Sequence, residues 1–72
     1  MANGLSRGPA RFKVGDTVTV TSKRRLRFDG LTGRIVEVRE SRHAASLDRY
    51  VVQVEGKREP EVFWEQELTP VA

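Results

Sequence analysis

The chain has 72 residues, enough for one small domain, and its lack of cysteine excludes disulfides and thiolate chemistry. No apolar run reaches the roughly 18 residues of a membrane-spanning helix, and the N-terminus lacks a signal peptide's apolar stretch, so we expect a soluble cytoplasmic protein without a membrane partner. Charge is uneven: residues 1–49 carry eleven basic and five acidic side chains, whereas residues 50–72 carry two basic and five acidic ones.

The beginning of the chain divides into a tail and a first strand. Residues 1–11 hold glycine, proline and small polar residues without an apolar period, which predicts a disordered basic tail. The domain is expected over residues 12–72. Within it, residues 17–21 alternate between threonine and valine. This period of two predicts a half-buried strand with Val18 and Val20 facing inward.

Residues 22–32 break this alternation and form the most basic segment of the chain. The segment ends near an Asp-Gly turn signal. Leu26, Phe28 and Leu31 are interspersed among the charges, so we expect the segment to pack onto the domain as a loop. Its four cations are Lys23, Arg24, Arg25 and Arg27.

A second strand is predicted over residues 33–39. Its alternation slips by one residue between Ile35 and Val38, which predicts a β-bulge. Gly33 is typical of a position where the chain bends sharply or two backbones approach closely. Residues 40–48 follow as a polar connection.

The rest of the chain predicts three more short strands. They are expected over residues 50–54, 62–64 and 68–71, with Tyr50, Val52 and Val54 on one face and a single helical turn at residues 65–67. Pro70 suits an edge strand because it has no N–H to donate. Phe63 and Trp64 point to opposite faces, so one belongs to the core. Five short strands with almost no helix predict an all-β domain, a small barrel or sandwich.

Three stretches of the sequence resemble SH3-like β-barrels of the KOW type. Residues 12–20 resemble the opening strand, residues 30–38 the glycine-centred second strand, and residues 64–68 the closing turn and last strand. The resemblance implies a five-stranded SH3-like barrel over residues 12–71. KOW modules bind RNA or protein. Similar small accessory barrels, including the C-terminal barrel of the nitrile hydratase β subunit, dock on larger proteins.

No residue pattern points to catalysis. His43 is the single histidine, too few for a zinc site, and a set of Ser41, His43 and Asp48 would lie in one connection without an oxyanion-hole signature. Plasmid-encoded trimethoprim-resistant dihydrofolate reductase is a barrel of similar length. Its family carries Val-Gln-Ile-Tyr where residues 61–64 read Glu-Val-Phe-Trp. We expect no enzyme activity, cofactor or metal.

The basic segment is the strongest functional signal in the sequence. Four cations on one loop can contact several phosphates, and an exposed aromatic beside them can stack on a base. The leading hypothesis is a non-catalytic module that binds nucleic acid, RNA or DNA. The predicted binding residues are Lys23, Arg24, Arg25, Arg27, Phe28, Arg34, Arg42, Phe63 and Trp64.

Two alternatives to nucleic-acid binding stay open. The domain can instead be a protein-interaction or accessory subunit that docks on a larger enzyme or on copies of itself. The basic segment can also be a solubilising loop, or pair with the carboxylates between Glu59 and Glu67, which are expected to surround a turn and face water.

Overall fold

The computed structural model describes residues 9–71, so Ala72 and most of the predicted tail, residues 1–8, lie outside it. The described chain is all-β, which confirms the predicted class and the number of strands. The strands are β1 (Thr17–Val20), β2 (Thr32–Arg39), β3 (Arg49–Val54), β4 (Glu61–Trp64) and β5 (Leu68–Pro70), and 3₁₀ turns span Ala45–Leu47 and Glu65–Glu67. Among the described residues, no helix is long and apolar enough to cross a bilayer.

The five strands form one antiparallel sheet in the order β4-β3-β2-β1-β5. The two edge strands are consecutive in the chain and are joined only by the 3₁₀ turn Glu65–Glu67. A flat sheet would separate these edges by about 19 Å, four strand spacings. The connection from Trp64 to Leu68 can span only about 14 Å. The sheet therefore curls into a barrel-like shape.

The concave face of the curled sheet encloses the core. Val18 and Val20 are buried there as the period-2 pattern predicts, and so are alternate residues of β3. Two aromatic pairs meet edge to face: Phe12 with Tyr50 at 5.4 Å between ring centroids, and Phe28 with Phe63 at 5.6 Å. The buried core consists of Phe12, Val18, Val20, Phe28, Ile35, Tyr50, Val52, Val54, Phe63 and Leu68.

The second strand has both irregularities that its sequence predicts. Its register against β3 shifts between Ile35 and Glu37, so the β-bulge is confirmed. At Gly33 the backbones of β2 and β3 approach so closely that a Cβ would lie 2.6 Å from Val52 Cγ1 and 2.7 Å from the Gln53 carbonyl oxygen. Only glycine fits this position without a shift of the neighbouring strand.

Candidate functional site

The basic loop, residues 21–31, joins β1 to β2 and lies along the open edge of β4. Ser22 Oγ donates to Glu67 Oε2 at 2.6 Å, which fixes the beginning of the loop. Farther along, Arg25 Nη1 donates to the Val62 carbonyl oxygen at 2.6 Å. An edge strand leaves backbone groups unpaired on one side, and covering it with a loop satisfies some of them. The loop is therefore part of the fold as well as a carrier of charge.

Arg25 makes the central contact between the basic loop and β4. Its Nη2 donates to Glu61 Oε1 at 2.6 Å, in addition to the bond from Nη1 to Val62. Its guanidinium carbon lies 4.6 Å from the ring centroid of Phe63 and 5.1 Å from that of Phe28. The planar fork of arginine suits this combination of a bidentate contact and a stacked one. Arg25, predicted to contact phosphates, is thus directed at the sheet edge.

A short hydrogen-bond network ties the same loop to the corner after β4. The Arg25 backbone N–H donates to Ser22 Oγ at 3.1 Å, and that hydroxyl donates to Glu67. The other oxygen of Glu67, Oε1, accepts the Trp64 N–H at 2.9 Å. Glu67 is buried with both oxygens bonded, so the expectation that it faces water is wrong. Its carboxylate holds the loop and the Trp64 corner in one arrangement.

The outward side of the basic loop carries Lys23, Arg24 and Arg27, all exposed. Within residues 9–71, none of the three forms an ion pair. The expected pairing of the loop with the C-terminal carboxylates is limited to Arg25. The ion pairs of those carboxylates are Arg25 with Glu61 at 2.6 Å and Arg11 with Glu65 at 3.5 Å. Among the described residues, Glu61, Glu65 and Glu67 are held by other partners, and the three outward cations remain available to an anionic ligand.

The three predicted stacking aromatics divide between core and surface. Phe63 is 0% exposed and Phe28 is 7% exposed, so neither ring can stack on a base, and their inclusion in a surface site is corrected. Both rings face the concave side of the sheet, where they pack on each other. Trp64 follows Phe63 on the opposite face and is 37% exposed. It is the one predicted stacking residue that the fold leaves accessible.

Trp64 lies in a groove between the basic loop and the end of β4. We call this the Trp64 groove; Arg24, Leu47, Trp64, Gln66 and Glu67 line it. On the neighbouring strand, Arg49 pairs with Trp64, and its guanidinium carbon lies 5.9 Å from the indole centroid. Arginines from two separate elements therefore lie near one exposed indole.

Sequence reasoning missed Arg49 and Leu47 as members of this site. Arg49 and Val51 are two residues apart on β3, so their side chains lie on the same, convex face of the sheet. Trp64 lies on that face as well. The register that sets Arg49 opposite Trp64 is not visible in the sequence. Leu47 is 48% exposed on the Ala45–Leu47 turn, in a segment without a periodic pattern.

Arg34 and Arg42, two of the predicted binding residues, do not line the Trp64 groove. Arg34 on β2 pairs with Gln53, four residues along β3 from Arg49, and it lines a separate shallow depression. Arg42 is exposed in the connection from β2 to β3, the segment that supplies Leu47 to the groove. The structure therefore does not gather all the predicted cations into one patch.

The polar connection from β2 to β3 is ordered by backbone donors. The Ser41 N–H donates to Asp48 Oδ1 at 2.7 Å, and the His43 N–H donates to Ser41 Oγ at 3.0 Å. Neither contact forms the proton relay between a serine hydroxyl and an imidazole that nucleophilic catalysis uses. In the part of the chain that the structure describes, no three histidine, aspartate or glutamate side chains cluster as a metal site requires.

Comparison of the chain with protein-family models, with curated proteins and with solved structures gives no match. The likeness to SH3-like barrels of the KOW type thus rests on three short stretches of sequence. A curled, five-stranded antiparallel sheet is compatible with that likeness.

Proposed function

We propose that this chain is a non-catalytic binding module that binds nucleic acid through the outward side of the basic loop. The observation that carries the proposal is that some residues of the loop anchor it to the fold while its other cations are exposed. Ser22 and Arg25 bond it to the sheet edge and the corner after β4, while Lys23, Arg24 and Arg27 are exposed. A loop that is already ordered loses less conformational entropy when its cations contact phosphates.

Two further cations extend the same basic surface. Arg49 borders the Trp64 groove at one end of β4. Lys57, in the turn between β3 and β4, places its Nζ 5.4 Å from the ring centroid of Phe28, and the guanidinium carbon of Arg27 lies 5.9 Å from the same centroid. One of these cations thus lies near the end of β4 and the other precedes its start, about 13 Å apart along four extended residues. Several separated cations can contact successive phosphates of a nucleic-acid backbone.

Fluorescence anisotropy of labelled oligonucleotides, first at low and then at physiological salt, tests the proposal. We expect binding whose logarithm falls linearly with the logarithm of salt concentration. Arg24→Glu should weaken binding at least tenfold. Arg58→Glu is the matched control, because Arg58 is an exposed arginine in the turn between β3 and β4 and the charge change is the same. Absence of binding at low salt, or equal losses in both variants, would contradict a site on the loop.

Protein docking is the second candidate function, and exposed leucines on the same side favour it. Leu26 is 72% exposed in the basic loop, and Leu47 forms one wall of the Trp64 groove. A copy of this chain or a larger enzyme could cover them. Sedimentation velocity over a range of concentrations tests self-association: a dimer that Leu26→Ser and Leu47→Ser dissociate would support it, and a monomer at every concentration would exclude it.

A further inference from the structure

The Trp64 groove combines an exposed aromatic side chain with one arginine in its lining, and a second arginine lies beside the indole. Trp64 ends β4 on the convex face, where Arg49 of β3 borders its indole. Arg24 of the basic loop lines the groove together with Leu47 and Gln66. Two arginines from different elements of the fold therefore lie near one exposed indole, Arg24 in the groove lining and Arg49 beside the ring.

We infer that this groove selects unpaired nucleic acid, with one base stacked on Trp64 and the flanking phosphates on Arg24 and Arg49. The inference rests on the proposed function and names its substrate class. Every base offers a flat π face to an indole, so such a contact tolerates sequence variation. A base inside a duplex has both faces covered by its neighbours, and only an unpaired base can be presented to the ring without prior unstacking.

The local structure keeps the indole ready for such a contact. The backbone N–H of Trp64 is bonded to Glu67, whose carboxylate also accepts the Ser22 hydroxyl at the start of the basic loop. The same network therefore ties the backbone of Trp64 to the loop segment between Ser22 and Arg25, which carries Arg24. Leu47 provides an apolar wall, and the amide of Gln66 can donate to or accept from the edge of a base.

A duplex would use this surface differently. It could contact the outward cations through its phosphates, but it would gain nothing from the indole. Its affinity should depend on Arg24 and on salt, and it should be indifferent to Trp64. Single strands, in contrast, should depend on both residues. The two substrates thus separate the electrostatic contribution from the stacking contribution.

The intrinsic fluorescence of the protein provides a direct readout, because Trp64 is the single tryptophan of the sequence. The experiment titrates the full chain with oligo(dT), oligo(U) and a mixed-sequence duplex, each of about 12 nucleotides, a length in the range that one small domain covers. We expect single strands to quench the emission of Trp64 at the same concentrations that raise anisotropy, and the duplex to raise anisotropy without comparable quenching. Comparison of oligo(dT) with oligo(U) identifies which backbone is preferred.

Variants of Trp64 complete the test. Trp64→Ala should weaken single-strand binding by about 5- to 150-fold and leave duplex binding unchanged, while Trp64→Phe should retain most of the affinity. Circular dichroism melts verify that each variant is folded. Equal binding of single strands and duplex, with no effect of Trp64→Ala on either, would overturn the inference and leave the proposed function standing. Absence of binding to every oligonucleotide would instead refute the proposed function itself.

Discussion

Two sides of the contact between the basic loop and β4 use the same kinds of residue for different purposes. On the inward side, Arg25 bonds to the strand edge and lies against Phe63, which is part of the core. On the outward side, Arg24 and Trp64 line an open groove. Arg24 and Arg25 are neighbours in the chain but lie on opposite sides of this contact. The same is true of Phe63 and Trp64. Residue type alone therefore does not identify a binding surface.

The difference also changes how the cationic loop should be probed. Reversing the charge of Arg24 and Arg25 together would remove a structural contact and a surface cation in one variant. Any loss of ligand binding would then mix unfolding of the loop with loss of charge. Single substitutions on each side separate the two effects.

Phe63→Ala should have the largest effect, because it removes a fully buried ring from the inward side. Loss of a buried phenylalanine costs about 3–5 kcal/mol, and a domain of this size rarely has more stability than that. We expect a chain that is largely unfolded in urea titrations at 25 °C. Phe63→Leu, which fills most of the volume, should remain folded with a loss of about 1–1.5 kcal/mol.

Trp64→Ala is the matched change on the outward side of β4. It should lower the free energy of unfolding by less than Phe63→Ala does, since the indole is 37% exposed whereas the Phe63 ring is fully buried. Equal destabilisation by Phe63→Ala and Trp64→Ala would mean that the division into an inward and an outward side is wrong.

Arg25→Lys should have the next largest effect. A lysine can replace the charge but lacks the planar fork with which Arg25 bonds to Glu61 and Val62 while packing over the Phe63 ring. We expect a loss of about 2 kcal/mol in chemical denaturation, because two charge-assisted hydrogen bonds of a partly buried group are weakened. Arg24→Lys, the control, should be neutral for stability within about 0.5 kcal/mol. Similar results for both lysines would show that the loop is not anchored through Arg25.

The inward side was partly predictable from the sequence because its signals are local. The strict alternation around Val18 and Val20 and the slipped alternation after Ile35 each depend on neighbours within a few residues. Gly33 likewise indicates a close approach of two backbones. Such patterns report which face of a strand is buried.

The division between the two sides depends on contacts between distant parts of the chain. Arg25 meets Glu61 across 36 residues, and Arg49 meets Trp64 through the strand register. Neither distance leaves a local pattern, so the sequence could not separate Arg25 from its exposed neighbours. It likewise could not tell whether Phe63 or Trp64 faces the core, since a strand with apolar side chains on both faces fits either orientation.

Arg49→Ala sharpens the definition of the outward side through ligand affinity. Arg49 borders the Trp64 groove, whereas Arg34, which the sequence also nominates, lies four residues away along the β3 register. We expect Arg49→Ala to weaken binding of a single-stranded oligonucleotide about three- to tenfold and to reduce the salt slope by about 0.7, one phosphate contact. Arg34→Ala should change neither quantity as much. The reverse order would move the site from the groove to the centre of the sheet.

Leu26→Ser should have the smallest effect, and it separates the two candidate functions. Leu26 is exposed among cations on the outward side, so its replacement should change the free energy of unfolding by no more than about 0.5 kcal/mol in thermal or urea melts. Oligonucleotide affinity should also be unchanged, because an aliphatic side chain at this position adds neither charge nor a stacking face. A surface that recognises nucleic acid through phosphates and one indole tolerates this substitution. A surface that docks on protein does not, since an exposed leucine beside a groove is the kind of contact that a protein partner buries.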